Sequence, residues 1–138
     1  MTCHILIADP TDLSIADLQA VLLTGTPVVV SMRPASGQAH LIDWARANGR
    51  FVRIDRASDW GNPFVIGRDG NRDAVIRAHA EALADRGDLL ARLRNGELAA
   101  KVLGCWCAPQ RCHGHTLAAL TLDSDFAPID ALQELAAV

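Results

Sequence analysis

Val28-Val29-Val30-Ser31-Met32 is a continuous run of mostly β-branched residues with no polar alternation. A strand that reads this way is buried on both faces, as in a parallel sheet covered by helices. Upstream, Ser14 and Asp17 form an S-x-x-D capping box, Leu18, Val21 and Leu22 follow at helical spacing, and Gly25 is the stop. Downstream, residues 39–48 read as a helix with Leu41, Ile42, Trp44 and Ala45 inward, ended by Gly49. Residues 51–54 form a short strand, 72–86 a helix, 88–93 a shorter helical piece and 101–107 another strand. A further helix runs from 112 or 113 to about 122. An apolar run at 3–8 adds a strand and the pattern at 128–138 a closing amphipathic helix. Strands alternating with helices predict an α/β fold: three layers, a mostly parallel sheet of four strands, and helices on both faces. Ligands of such sheets bind beyond the carboxyl ends of the strands. That edge gathers Asp9, Ser31, Arg33, Asp55, Arg56, Cys105 and Cys107.

The 138 residues fit one domain, and a hydrophobic fraction of 50% is enough to build a core. A net charge of −3 gives no general attraction for nucleic acid. The charge is uneven: residues 50–111 carry eleven basic and eight acidic side chains, whereas 112–138 carry four acidic and no basic ones. There is no basic leader and no apolar run near the ~18 residues of a membrane span. Three of the four cysteines crowd into residues 105–112. That spacing argues against a disulfide scaffold and for metal or thiol chemistry in a reducing compartment, so the expected location is the cytoplasm.

Residues 104–115, GCWCAPQRCHGH, carry the strongest chemical signal. Cys105, Cys107, Cys112 and His113 offer enough soft ligands for a tetrahedral zinc, although C-x-C is tighter than the usual spacing. A second reading makes Cys112 a reactive thiolate, activated by the helix N-terminus and by His113. A third leaves these residues as ordinary core, where free cysteine is common. Residues 60–72, WGNPFVIGRDGNR, form the second signal. Gly61 and Asn62 suit close backbone approach, Trp60 and Phe64 suit stacking on a planar ring, and Arg68 and Arg72 suit a phosphate. The plain alternative is a connecting loop stapled by two aromatics. His79 reads as a satisfied core histidine.

WGNPF, IG-x-DG-x-R and CWC-x-P-x-x-CHG, in this order, resemble an uncharacterised family of bacteria and their phages, the domain of unknown function 4326. The resemblance runs over residues 28–120. It makes residues 1–27 an N-terminal strand–helix addition and 123–138 a tail. It implies signature positions in both motifs and brings no reaction with it. In family members an acidic residue commonly follows CHG, where this chain has His115, which favours His113 over His115 as a shared ligand.

The expected function is an enzyme acting on a nucleotide, nucleoside or related phosphorylated small molecule. Trp60, Gly61, Asn62, Phe64, Arg68 and Arg72 bind the substrate. Cys112, His113 and Asp69 carry the chemistry, through a zinc-bound water or a thiolate, with Asp69 as general acid or base ahead of Asp55 and Asp59. The alternative is a non-catalytic, zinc-stabilised binding module for a nucleic acid end or a protein partner.

Overall fold

The computed structural model describes residues 12–107, 110 and 112–122. The expected strand at 3–8, Asp9, Pro109 and the expected helix at 128–138 lie outside the described residues. The capping box forms: Ser14 Oγ accepts from the Asp17 backbone N–H at 3.1 Å and starts α1 (Ile15–Leu23), satisfying one of the donors a helix start leaves open. The chain then turns through Gly25 at φ +87° into β1 (Val28–Ser31). A single 3-10 turn at Pro34–Ser36 leads to α2 (Ala39–Ala47) and β2 (Phe51–Arg53). After a long irregular segment, Asn71 caps α3 (Arg72–Ala84) by accepting from Ala74 N–H at 2.9 Å. α4 (Gly87–Arg94), β3 (Val102–Cys105) and α5 (His113–Leu122) complete the described chain.

The three strands run parallel in the order β1-β3-β2. Val28 lies opposite Val102, Ser31 opposite Cys105, and Phe51 also opposite Val102. The fold is therefore α/β with a parallel sheet, and the described residues contain three strands where four were expected.

Side chains alternate across the sheet. Val28, Val30 and Val102 pack with Leu18 and Leu22 of α1 and Leu41 and Ala45 of α2. Val29, Leu103 and Cys105 pack with Leu83, Leu89 and Leu93 of α3 and α4 and with Leu117 and Leu120 of α5. Every residue of β1 and β3 is buried, which is why neither strand shows polar alternation. β3 ends two residues sooner than its apolar pattern, because Trp106 leaves the sheet and is 44% exposed.

Candidate functional site

The carboxyl ends of β2 and β3, the segment after β2, the start of α3 and the start of α5 enclose a cleft of about 270 Å³. Asp55, Arg56, Asn62, Phe64, Ile66 and Arg72 line one side, and Cys105, Trp106, Cys107, Cys112 and His113 the other. Val65, Val75 and Ile76 complete an apolar wall. Both sequence signals thus reach one cavity at the carboxyl edge of the sheet. Ser31 does not: its N–H donates to Gln38 Oε1 at 2.6 Å and its carbonyl accepts from Ser36 Oγ, so the end of β1 is sealed by its own turn.

The 60–72 segment divides between building the loop and lining the cleft. Trp60 is 3% exposed and belongs to the core beside Leu89, Leu93 and Leu98. The guanidinium of Arg92 lies 4.7 Å from its ring centroid. Trp60 therefore offers no face to a ligand, and the stacking role expected of it is corrected to core packing. Gly61 passes against the preceding backbone: a Cβ there would stand 2.5 Å from the Asp55 carbonyl oxygen. Its glycine is required by packing and not by a ligand. Asn62 ties the segment to α3, donating to the Val75 carbonyl at 3.0 Å while its Oδ1 accepts from Phe64 N–H.

Asp69 and Arg68 form a clasp and do not line the cleft. Asp69 Oδ2 accepts from Val65 N–H at 2.8 Å and from Arg68 Nε at 3.0 Å. Arg68 also donates to the Pro63 carbonyl. The Arg68 guanidinium holds the Asp69 carboxyl below its usual range, with the Val65 amide adding to the effect. An ionised, exposed carboxylate engaged within its own loop is poorly suited to general acid or base work, so Asp69 is reassigned to shaping the loop.

Asp55 links the two sides by bridging the ends of β2 and β3. It pairs with Arg53 and accepts from Trp106 Nε1 at 3.1 Å and from Ala57 N–H. The Arg53 hydrogen bond lowers its pKa against a smaller opposing effect of burial. Trp106 is thereby pinned with its ring half-exposed at the cleft rim.

His113 opens α5 and is buried; its Nε2 is hydrogen-bonded to the Ile54 carbonyl. A carbonyl only accepts, so Nε2 carries the proton. Burial lowers the pKa of His113, partly countered by that hydrogen bond. The ring is neutral at pH 7, and its Nδ1 keeps a lone pair. The close seat of α5 depends on Gly114, where a Cβ would come within 2.6 Å of Ile54 Cδ1 and 3.1 Å of Val29 Cγ1. Behind His113 stands His79, ring centroids 5.0 Å apart. His79 is buried as expected but not satisfied, since its Nδ1 has no hydrogen-bond partner.

Cys112 precedes α5, and its Sγ lies 3.5 Å from Cys105 Sγ, to which it donates. The surroundings of Cys112 oppose the activation expected of it. Its hydrogen bond to Cys105 and its burial push its pKa up, outweighing the N–H that Gly114 directs at the sulfur. His115 serves the backbone, its Nδ1 accepting from Cys112 N–H at 3.1 Å.

Among the described residues no three His, Cys, Asp or Glu side chains are arranged to hold a metal ion. Cys105 and Cys112 approach each other, but His113 presents its Nε2 to Ile54 instead of to the sulfurs. Trp106, Val65 and Ile66 are not expected from sequence as ligand-binding residues, and Arg56 is expected only at the carboxyl edge of the sheet, with no role assigned. Arg56 carried a usable signal, its place just past the end of a predicted strand.

A family model described as Domain of unknown function (DUF4326) matches residues 40–123. The match contains the whole cleft and leaves α1 and β1 outside it. An uncharacterized 12.4 kDa protein in the nrdA-td intergenic region of Enterobacteria phage T4 is 34% identical over 76 residues, which are 49% of this chain and 63% of that protein. This chain thus spans less than two thirds of that relative's length. No solved structure matches. Among the described residues no helix is long and apolar enough to cross a membrane.

Proposed function

This chain belongs to the family described as Domain of unknown function (DUF4326), and we propose that it is an enzyme acting on a nucleotide, nucleoside phosphate or similar small phosphorylated molecule. The observation that carries this reading is the composition of one cleft: two arginines, an apolar and aromatic wall, and a neutral imidazole. Arg56 and Arg72 take the phosphate, for which guanidinium geometry is suited. Arg56 spends one N–H on the Phe64 carbonyl and has four more. Phe64 and Ile66 take the apolar part of the ligand. At about 270 Å³ the cleft is just below the ~300–1,000 Å³ of ordinary ligand pockets, which suits a mononucleotide or something smaller.

His113 is the proposed base. With Nε2–H committed to Ile54, Nδ1 accepts the proton of an attacking water or substrate hydroxyl. Asp55 acts at one remove, by fixing Trp106 and the β2 end. No step requires a metal. The second reading, a zinc-stabilised binding module, differs from this one in needing no ligand in the cleft, so nucleotide binding at Arg56 and Arg72 separates the two.

Calorimetric titration with nucleoside monophosphates and with the matching nucleosides tests the reading. Arg56→Ala and Arg72→Ala should each weaken binding of the phosphorylated ligand by about 1.5–3 kcal/mol, the cost of a charge-assisted hydrogen bond. That is roughly a 10- to 150-fold change. Nucleoside affinity should stay nearly constant. Equal losses for both ligand classes, or no binding by any phosphorylated ligand, contradict the proposal.

A further inference from the structure

We infer that Cys105 and Cys112 form a dithiol–disulfide couple at the floor of the cleft. Their sulfurs lie 3.5 Å apart, with Cys112 donating to Cys105. One thiol ends β3 and the other precedes α5, so a bond between them ties the sheet to that helix. Both side chains line the cleft, which gives a small oxidant a way in although they are buried. Cys107 also lines the cleft but is only partly buried, packing on the edge of the same cluster. A disulfide needs ~2.05 Å between sulfurs, so the pair must close by about 1.5 Å. A disulfide that forms in a reducing compartment is usually transient, serving catalysis or redox sensing.

The oxidant class is a hydroperoxide. Cys105 Sγ attacks the terminal peroxide oxygen, the O–O bond breaks, and the thiol proton leaves with the alcohol or water product. Cys105 is then a sulfenic acid. Cys112 Sγ attacks that sulfur, the S–S bond forms, and the hydroxyl departs as water with the Cys112 proton. Two thiols have given two electrons to one hydroperoxide. A dithiol reductant reverses the bond by exchange.

The full chain treated with hydrogen peroxide, denatured without reductant and digested with trypsin tests this directly. Cleavage after Lys101 and Arg111 puts Cys105 and Cys107 in peptide 102–111 and Cys112 in peptide 112–138. The expected product is a cross-link between these two peptides, reversed by dithiothreitol. Alkylatable thiols should fall from the four of the chain to two. Cys107→Ser should keep the cross-link, and Cys105→Ser should lose it. If Cys105→Ser does not fold, the wild-type map and Cys107→Ser still decide. Any one of four results overturns the inference: a bond within peptide 102–111, loss of the cross-link in Cys107→Ser, over-oxidation without cross-linking, or thiols shielded by a metal that only a chelator releases.

Discussion

Trp60→Ala should lower the unfolding free energy by about 3–5 kcal/mol, the usual cost of truncating a buried tryptophan. The indole fills the space beside Leu89, Leu93 and Leu98, and its removal also takes away the ring face over which the Arg92 guanidinium lies. The exposed ion pairs of Arg92 with Asp59 and Glu97 would compensate little, since such pairs contribute about 0–1 kcal/mol. Phe64→Ala should behave differently. Phe64 is half-buried on the cleft wall, so its loss should weaken ligand binding more than stability. Denaturant unfolding of both variants checks the contrast. A Trp60→Ala protein as stable as wild type, with ligand binding lost, would return Trp60 to the stacking role.

Acidification should destabilise the fold well before the carboxylates titrate. The pKa of His79 is pushed down to about 3, first by burial and then by the neighbouring His113 ring. In the unfolded chain the same group titrates near ~6.5. Above that pH both states hold it neutral and it has no effect. As pH falls below ~6.5 the unfolded chain binds the proton and the folded one does not, so stability drops by about 1.4 kcal/mol per pH unit. By pH 4 the loss from His79 alone is about 3 kcal/mol. His113, also lowered by burial, adds to it in the same direction. Asp55 and Asp69, whose pKa values are lowered by Arg53 and Arg68 respectively, contribute only at still lower pH. His79→Phe should flatten the curve between pH 6 and 4, as measured by urea unfolding at several pH values. An unchanged slope in that variant would mean that His79 is protonated in the folded protein.

Much of the fold is legible because local chemistry and packing agree. Ser14 caps α1, Gly25 and Gly49 follow α1 and α2, and the apolar runs at 28–32 and 101–107 contain the buried strands β1 and β3. Strand order is not legible. No residue of β3 announces that it lies between β1 and β2, since all four of its residues are buried in the way β1 is. The site is legible as a place and less so as chemistry. The 60–72 segment and the cysteine cluster do meet in one cleft, as parallel strands require. Within an irregular segment, however, side-chain direction has no period. Nothing local says that Trp60 turns into the core while Phe64 faces the cleft, or that Asp69 folds back on Val65 and Arg68. The cysteine pattern misleads for a related reason. The hydrogen bond to Cys105, and then burial, raise the pKa of Cys112 at a helix start where the dipole alone would lower it.

A cleft that binds a small phosphorylated, nucleotide-like molecule should show itself in amide shift mapping during titration with a nucleoside monophosphate. The largest shifts should fall on Asn62 and residues 64–66, on the Trp106 indole N–H and on Gly114 at the start of α5, and should saturate together. Shifts confined to the groove around Trp44, Asn48 and Arg50 between α1 and α2, or no saturable shifts at all, would contradict it.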